Sequence, residues 1–216
     1  MIHIPTNRLP ILILAMSLIY IVLVPQEPLG LKLLFKLIPM VLIIIYATRQ
    51  LPRKKSITHW LILTGLFFCM IGDATLHWFV IGLSAFLIGH VFYMAGFFTQ
   101  WKFSKIRFAM IIPIVVYGFF MGLKLVDALN RDGNEELLVP VLLYIIVISL
   151  MAWSAILTGN KWAILGSLLF VVSDSILSWN MFITQVNYSG LLIMTTYYGA
   201  QFLIAHSLGT IATGKS

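Results

Sequence analysis

Charge and cysteine are both scarce in this sequence. Asp, Glu, Lys and Arg make up 10% of the 216 residues, against about 25% in soluble proteins. Hydrophobic residues reach 61%, and the mean hydropathy is +1.01. These values exclude a water-soluble globular domain, and together with 13% aromatic residues they also exclude a disordered chain. The single cysteine, Cys69, excludes an intrachain disulfide.

The usual motifs of soluble enzymes are also missing. The sequence has no Gly-rich phosphate loop, no Gly-x-Ser-x-Gly elbow and no His-Glu-x-x-His zinc helix. The five histidines are scattered without metal-ligand spacing, at His3, His59, His77, His90 and His206. We therefore expect no metal and no cofactor.

Long apolar runs dominate the chain instead. A membrane helix needs about 20 apolar residues, and eight such runs are separated by charged or turn residues, at about 9–24, 31–48, 58–76, 80–99, 108–126, 137–157, 161–182 and 189–210. We predict an all-α integral membrane protein with eight transmembrane helices in one domain, residues 1–216. Two connections carry little or no charge, so six helices is the alternative. We interpret the first run as a retained helix, because no Ala-x-Ala cleavage site precedes Gln26.

Basic residues are distributed unevenly between the two sides of this topology. One side receives three, Lys32, Lys124 and Arg131, together with the acids Glu27, Asp127, Asp132, Glu135 and Glu136. The other side receives no acid and ten basic residues: Arg8, Arg49, Arg53, Lys54, Lys55, Lys102, Lys105, Arg107, Lys161 and Lys215. The positive-inside rule then predicts cytoplasmic termini and an external acidic 127–136 loop. We interpret the net charge of +7 as the result of this asymmetry, with binding of anionic lipid as the alternative. We expect no nucleic-acid partner.

One segment of the sequence recurs without a gap. Residues 65–78 align with residues 166–179, so that Gly, Asp, Leu and Trp coincide at an offset of 101 residues, and the same offset relates Pro39 to Pro140. Because each unit would contain four helices, an even number, the two halves would share one orientation. We therefore predict two parallel four-helix repeats, residues 1–104 and 105–216. Chance similarity between apolar runs is the alternative.

Three ionisable residues lie well inside the predicted spans. Asp73 and Asp174 are each about 20 Å from the cytoplasmic ends of their helices, at 1.5 Å per residue. Lys36 lies about 8 Å below the outer surface, near the same depth. Ionisable groups inside a membrane are costly and are a functional hypothesis by default. The alternative is that Lys36 reaches the interface and that the acids are structural.

Other polar side chains fall in the same outer-to-middle layer, and together they indicate a polar cavity. They are His90, Tyr93, Tyr117, Tyr144, Tyr197, Tyr198 and Gln201. Each of them alone is typical of helix packing. Gly82, Gly89 and Gly96 recur every seven residues and predict a smooth surface for close helix contact.

Six short motifs, in order along nearly the whole chain, resemble the YhhN family of multispanning membrane proteins, which contains the lysoplasmalogenases. The motifs are Lys36-x-x-Pro39-Met40, Gly72-Asp73-Ala-x-Leu76, Gly89-His90-x-x-Tyr93, Pro140-x-x-x-Tyr144, Ser173-Asp174-Ser-x-Leu177 and Tyr197-Tyr198-x-Ala200-Gln201. The resemblance implies hydrolysis of the vinyl ether bond of lysoplasmalogens to a fatty aldehyde and glycerophosphoethanolamine or glycerophosphocholine. It places the two family aspartates at Asp73 and Asp174. The expected partners are a lysophospholipid substrate and membrane lipids, in a bacterial cytoplasmic membrane.

The chemistry of that reaction is compatible with two intramembrane carboxyl groups. Protonation of the β-carbon of a vinyl ether creates an oxocarbenium ion, and glycosidases stabilise a similar cation with two carboxyl groups. A carboxyl in an apolar site beside a second carboxyl can hold a proton at neutral pH. Lys36 would favour ionisation of the other aspartate or bind the lipid phosphate. His90 and the tyrosines Tyr93, Tyr144, Tyr197 and Tyr198, with Gln201, would support the site by orienting water or glycerol oxygens.

Three other functions are compatible with the same residues. An intramembrane aspartyl protease also uses two aspartates on separate helices, and Gly72-Asp73 is similar to its Gly-Asp element, although its further motifs are absent. A proton-coupled transporter would use the acids as a relay. A purely structural membrane protein would leave two costly acids unexplained.

Overall fold

The computed structural model describes residues 8–25 and 27–212. Within these residues the chain is helical and contains no strand. The helices are α1 (Leu9–Leu23), α2 (Leu29–Gln50), α3 (Ile57–Thr75), α4 (Phe79–Phe98), α5 (Lys105–Ala109), α6 (Ile111–Arg131), α7 (Leu138–Thr158), α8 (Lys161–Phe182) and α9 (Ser189–Ser207). A 3-10 turn, Glu135–Leu137, precedes α7. The expectations for His3, Gln26 and Lys215 lie outside the described residues.

Apart from the single turn of α5, the described part of the chain forms eight long helices, at the eight predicted positions. Six segments are long and apolar enough to cross a membrane: Leu29–Gln50, Ile57–Thr75, Phe79–Phe98, Lys105–Arg131, Glu135–Thr158 and Lys161–Phe182. The two remaining helices differ from them for separate reasons. α1 has 15 residues, about 22 Å of helix, and α9 carries several polar residues that line the candidate site. The protein is therefore an all-helical integral membrane protein.

The connection between α7 and α8 shows how local sequence sets the helix ends. Gly159 has φ +70°, a left-handed conformation that ends α7 without a side-chain clash. Asn160 then caps α8, because its side-chain oxygen accepts hydrogen bonds from the backbone N–H groups of Trp162 and Ala163 at 3.0 and 3.1 Å. The boundary predicted at residues 159–161 is confirmed.

The glycine stripe of α4 packs against α3, as its spacing predicts. A Cβ atom added to Gly82 would lie 2.5 Å from the Cα atom of Leu76, and one added to Gly89 would lie 2.8 Å from Cys69 Sγ. A Cβ atom on Gly96 would be 3.1 Å from Ile62 Cγ1. The two helices therefore approach so closely along this seam that only hydrogen fits.

The other helices surround this pair. α8 packs along α9, α4 also contacts α7, and α2 contacts α1, α3 and α9. α6 lies at the edge, packed mainly against α7 and α8. One large buried core joins α1, α2, α3, α4, α7, α8 and α9, and a smaller one forms around Leu125, Leu129 and Val141.

Two predicted boundaries are wrong. The acidic 127–136 segment is not a loop throughout, because α6 continues to Arg131 and includes Asp127. The basic segment before α6 is also partly helical, because α5 begins at Lys105. In both cases charged residues extend an apolar helix beyond its apolar run, since exposed helix ends can keep their charges in contact with water.

Candidate active site

Asp73 forms a buried ion pair with Lys36. Lys36 Nζ lies 3.0 Å from Asp73 Oδ1, and the side chains are 10% and 3% exposed, respectively. The same ammonium group donates a hydrogen bond to the backbone oxygen of Asp73 at 3.3 Å. Lys36 therefore points into the protein from α2 towards the last turns of α3, rather than towards the membrane surface.

Two tyrosines of α9 complete the surroundings of this pair. The Tyr197 hydroxyl donates to Asp73 Oδ2 at 2.6 Å, so that both carboxylate oxygens of Asp73 have partners. The Tyr198 hydroxyl donates to the backbone oxygen of Lys36 at 2.8 Å. These bonds join α2, α3 and α9 around one charged pair, which satisfies the requirement that a buried charge be paired and hydrogen-bonded.

Asp174 occupies a different environment. The Tyr144 hydroxyl donates a hydrogen bond to Asp174 Oδ2. Neither of the two salt bridges within residues 8–25 and 27–212 involves Asp174. Asp174 is partly exposed and lines a cavity of about 80 Å³ between α6, α7 and α8. It is therefore the more accessible of the two carboxyl groups.

His90 lies beside Tyr144 and is completely buried. Its Nδ1 lies 2.7 Å from the backbone oxygen of Phe86, and because a carbonyl only accepts, Nδ1 carries a proton. The opposite ring nitrogen, Nε2, has no hydrogen-bond partner among the described residues. The ring centroid is 5.3 Å from that of Tyr144. Nε2 of His90 is thus a ring nitrogen without a partner, within the same buried region as the Asp174–Tyr144 pair.

Tyr93 and Gln201 form a separate pair. The Tyr93 hydroxyl donates to Gln201 Oε1 at 2.6 Å, and the amide nitrogen of Gln201 has no partner in the part of the chain that the structure describes. Neither side chain has a hydrogen bond to an aspartate. Their contacts lie between α4 and α9, so they connect the two sides of the polar region without joining either carboxyl group.

A row of aromatic contacts runs from the partner of Asp73 to His90, beside the partner of Asp174. Tyr197, the partner of Asp73, packs edge-on against Phe170 with ring centroids 5.4 Å apart. On its other side, Phe170 packs against His90 at 4.5 Å. No hydrogen bond between the described residues links one carboxyl group directly to the other. The site therefore consists of an ion-paired half at Asp73 and a cation-free half at Asp174.

Two contributions at the site were missed from the sequence. Ser175 Oγ accepts a hydrogen bond of 2.7 Å from the Tyr117 hydroxyl and lines the Asp174 cavity. Tyr20 of α1 packs edge-on against Tyr198 at 6.2 Å. Position next to Asp174 is a signal that could have identified Ser175, whereas Tyr20 lies in an otherwise apolar run and gives none. Among the described residues, no three His, Cys, Asp or Glu side chains lie close enough to hold a metal ion.

Comparison with known proteins agrees with the resemblance in the motifs. Lysoplasmalogenase TMEM86B of Mus musculus is 28% identical over 196 residues, which cover 89% of this chain and 82% of the mouse protein. Lysoplasmalogenase TMEM86B of Rattus norvegicus is 27% identical over 90% of this chain and 81% of the rat protein. Lysoplasmalogenase TMEM86A of Bos taurus is 32% identical over 68% and 64%, respectively. No solved structure shows significant similarity.

The family model for YhhN matches residues 31–208, a range that contains both aspartates and every polar side chain of the candidate site from Lys36 to Gln201. With most of its length matched in this way, the chain belongs to the YhhN family.

Proposed function

We propose that this protein is a membrane-embedded hydrolase that cleaves the vinyl ether bond of a lysoplasmalogen. The products are a fatty aldehyde and glycerophosphoethanolamine or glycerophosphocholine. The observation that carries this proposal is the unequal surroundings of two intramembrane aspartates. Asp73 is paired with Lys36, whereas Asp174 has no salt-bridge partner among the described residues. The relatives named lysoplasmalogenase support the same substrate class.

The reaction needs one proton donor and one site for positive charge. A proton added to the β-carbon of the vinyl ether gives an oxocarbenium ion at the α-carbon. Water attacks that carbon and loses a proton, and the resulting hemiacetal breaks its bond to the glycerol oxygen to release the aldehyde and the alcohol. One water is consumed and the acid regains its proton, so the protein ends in its starting state.

We assign the proton donor to Asp174. An isolated buried carboxylate is costly, so a carboxyl with only a tyrosine partner favours its protonated form. Tyr144 donates to Oδ2, which leaves Oδ1 to carry the proton. Its position on the cavity wall allows contact with a substrate.

We assign the site for positive charge to Asp73. Its carboxylate is held in the ionised form by Lys36 and Tyr197, and the fixed dipole of this ion pair contributes to stabilising a developing cation. Because both of its oxygens are engaged, Asp73 acts at a distance rather than by proton transfer. The Asp174 carboxylate that remains after the first proton transfer takes up the proton that the attacking water loses. His90, whose ring packs against that of Tyr144, supports this half of the site.

The contact pattern supports two parallel repeats. The packing of α3 with α4 has a counterpart in α8 with α9, and that of α4 with α7 has a counterpart in α9 with α2. A Cβ atom added to Gly65 would lie 3.0 Å from the Gly89 carbonyl oxygen, and one added to Gly166 would lie 2.9 Å from that of Ala200. Between α4 and α9 the offset is 111 residues instead of 101, because α8 continues to Phe182.

We also propose that all eight long helices cross the membrane, with both termini in the cytoplasm of a bacterium.

The direct test is an aldehyde assay with the purified protein in detergent. Three lysolipids with the same head group and chain length would be compared, carrying a vinyl ether, an alkyl ether or an acyl ester. We expect aldehyde only from the vinyl ether, and competitive inhibition by the alkyl ether. In deuterated water the aldehyde should carry deuterium at the carbon next to the carbonyl group.

Other results of this assay would indicate a different mechanism or a different function. Aldehyde without solvent deuterium would contradict proton transfer to the β-carbon. Peptide cleavage would indicate the aspartyl protease, and uptake of unchanged lipid into vesicles would indicate the transporter. No observed contact favours either, since the two carboxyl groups have separate partners.

A further inference from the structure

The Asp174 cavity meets the protein surface between α6 and α8. Two of the side chains that line it are exposed, Tyr117 of α6 at 43% and Met181 of α8 at 45%. The rest of its lining is buried or half-buried. Towards the end of α8 the lining is apolar, and Phe79 packs edge-on against Phe182 with ring centroids 5.5 Å apart. A lipid in the membrane can therefore approach Asp174 between these two helices.

Tyr117 relates the height of α6 to that of α8 at this opening. Its hydroxyl donates to Oγ of Ser175, the residue next to Asp174, at 2.7 Å. Met121, one turn farther along α6, is buried and also lines the cavity. Lys124 is seven residues after Tyr117, two turns along the same face of the helix and about 10 Å nearer its end. Lys124 thus lies beyond the cavity on the side of α6 that borders the opening.

The charge of Lys124 is not neutralised within the described part of the chain. Its position is exposed, and neither of the two salt bridges among the described residues involves it. The other candidates for an anion are already engaged. Lys36 is held by Asp73 at 3.0 Å, and Arg131 is paired with Asp132 at 3.3 Å. Lys124 is therefore the basic side chain best placed to bind an anion beside the opening.

We propose that Lys124 binds the phosphate group of the lysophospholipid while its vinyl ether lies at Asp174. The proposal rests on the function proposed above. Seven covalent bonds separate the β-carbon of the vinyl ether from the phosphorus atom, about 8 Å in an extended chain, which fits the two helix turns between Tyr117 and Lys124. Asp127 follows one turn later, where the ammonium group of ethanolamine or choline would lie. The order of charges along α6 is thus the order of charges along the lipid.

Lys124→Gln tests this assignment with two substrates that share one vinyl ether chain. One carries glycerophosphoethanolamine, and the other carries glycerol without a phosphate. We expect the variant to raise KM for the phosphate-bearing substrate about tenfold, the usual size of a hydrogen bond to a charged group, with little change in kcat. Both constants for the glycerol substrate should equal those of wild type, because that substrate offers Lys124 no charge.

The matched control is Lys32→Gln. It removes the same charge from the first turn of α2, at the same end of the bundle, and Lys32 does not line the Asp174 cavity. This variant should keep the wild-type constants for both substrates. Lys124→Arg preserves the charge and should retain most of the affinity for the phosphate-bearing substrate, whereas Lys124→Glu should weaken that affinity more than Lys124→Gln does.

Saturated alkyl ether analogues of the two substrates measure binding without turnover. Wild-type protein should bind the analogue with phosphoethanolamine about tenfold more tightly than the alkylglycerol. Lys124→Gln should bind the two about equally, and Lys32→Gln should keep the wild-type preference.

The outcomes separate this proposal from the proposed function. Unchanged KM and unchanged binding of the analogues in Lys124→Gln would overturn the phosphate site. An equal loss with the glycerol substrate, or in Lys32→Gln, would also overturn it, because the effect would then come from folding or from the general charge of the surface. A wild-type protein that releases no aldehyde, but whose preference for the phosphate analogue is lost in Lys124→Gln, would refute the proposed function and support the phosphate site.

Discussion

The two aspartates differ most clearly in what would happen if each were replaced by asparagine. The carboxyl group of Asp174 has a tyrosine partner and no cation, so replacing it with an amide removes no ion pair. Asp73 neutralises Lys36 inside the protein. Loss of one partner of a buried pair leaves the other charge without compensation, which costs about 3–5 kcal/mol.

Asp174→Asn is therefore expected to separate activity from stability. Removal of the proton donor should lower the rate of aldehyde release at least about 10²-fold, the lower range for general acid catalysis. The melting temperature in detergent should stay close to that of wild type, because the amide can still accept the Tyr144 hydrogen bond. Near-full activity of this variant would exclude Asp174 as the acid.

Asp73→Asn should behave differently. We expect a similar loss of rate, at least about 10²-fold, together with a marked fall in melting temperature from the uncompensated Lys36. The double variant Asp73→Asn/Lys36→Met removes both charges and should recover much of the stability but not the activity. Recovery of activity in the double variant would show that the pair is structural and that Asp73 has no role in the reaction.

At the residue scale the sequence predicts the depth of the ionisable side chains better than it predicts their partners. Depth counting places Lys36 and Asp73 at one level, and they are in contact. It also places the two aspartates at one level, yet they have separate hydrogen-bond partners, Tyr197 and Tyr144. Depth is set by helix rise, whereas contact depends on helix rotation, which the apolar pattern of a membrane helix leaves almost undetermined.

At the scale of helices, the α3–α4 seam shows how closely two helices of this protein pack. Its closest approach involves backbone, because a Cβ atom on Gly82 would lie 2.5 Å from Leu76 Cα and 2.8 Å from the Leu76 backbone nitrogen. Backbone at a helix end cannot move aside as the tip of a flexible side chain can. The seam also positions Asp73, which lies three residues before Leu76.

Gly82→Ala should consequently destabilise the protein by about 1–3 kcal/mol, the usual cost of overpacking. Gly30→Ala is the matched control, because nothing lies within 4 Å of a Cβ atom at that helical position, and alanine there should be neutral or stabilising. Thermal unfolding in detergent measures both. Equal melting temperatures for the two variants would show that α3 and α4 are not constrained at Leu76.

Helix bounds could be predicted closely from the apolar runs, and the errors have one cause. The runs end where charge begins, but α6 continues through Lys124 and Asp127 to Arg131. The length of the apolar run determines which segment inserts into the membrane, whereas backbone hydrogen bonding determines how long the helix is. A helix can therefore extend beyond its apolar run into water.

At the scale of the whole molecule, the basic connections meet at one end of the bundle. The Lys102 backbone N–H donates to the Leu157 carbonyl oxygen at 3.1 Å, which joins the α4–α5 connection to the end of α7. The side chain of Asn160 donates to Thr210 at 2.8 Å, which joins the α7–α8 turn to the segment after α9. Contacts at the opposite end include Phe79 against Phe182, with ring centroids 5.5 Å apart.

This grouping agrees with an eight-span topology in which successive helices alternate in direction. Of the basic residues counted on the cytoplasmic side, Lys102, Lys105, Arg107 and Lys161 lie in or beside the connections at the first end. Glu135 and Glu136 lie at the second end, just before α7. A topology in which α1 or α9 failed to cross would keep the helix contacts but would place one terminus on the other side of the membrane.

A pair of fusions tests this topology. A reporter enzyme that is active only outside the cytoplasm should be silent when it is fused after Ser216, and active when it is inserted between Asp132 and Gly133. A reporter active only in the cytoplasm should give the opposite result at both positions, which controls for expression. The charge asymmetry predicts this pattern because ten basic residues favour the cytoplasmic side and three the other. External signals at both positions would require an even number of spans between Asp132 and the C-terminus instead of the three predicted, and with it the loss of the parallel repeat.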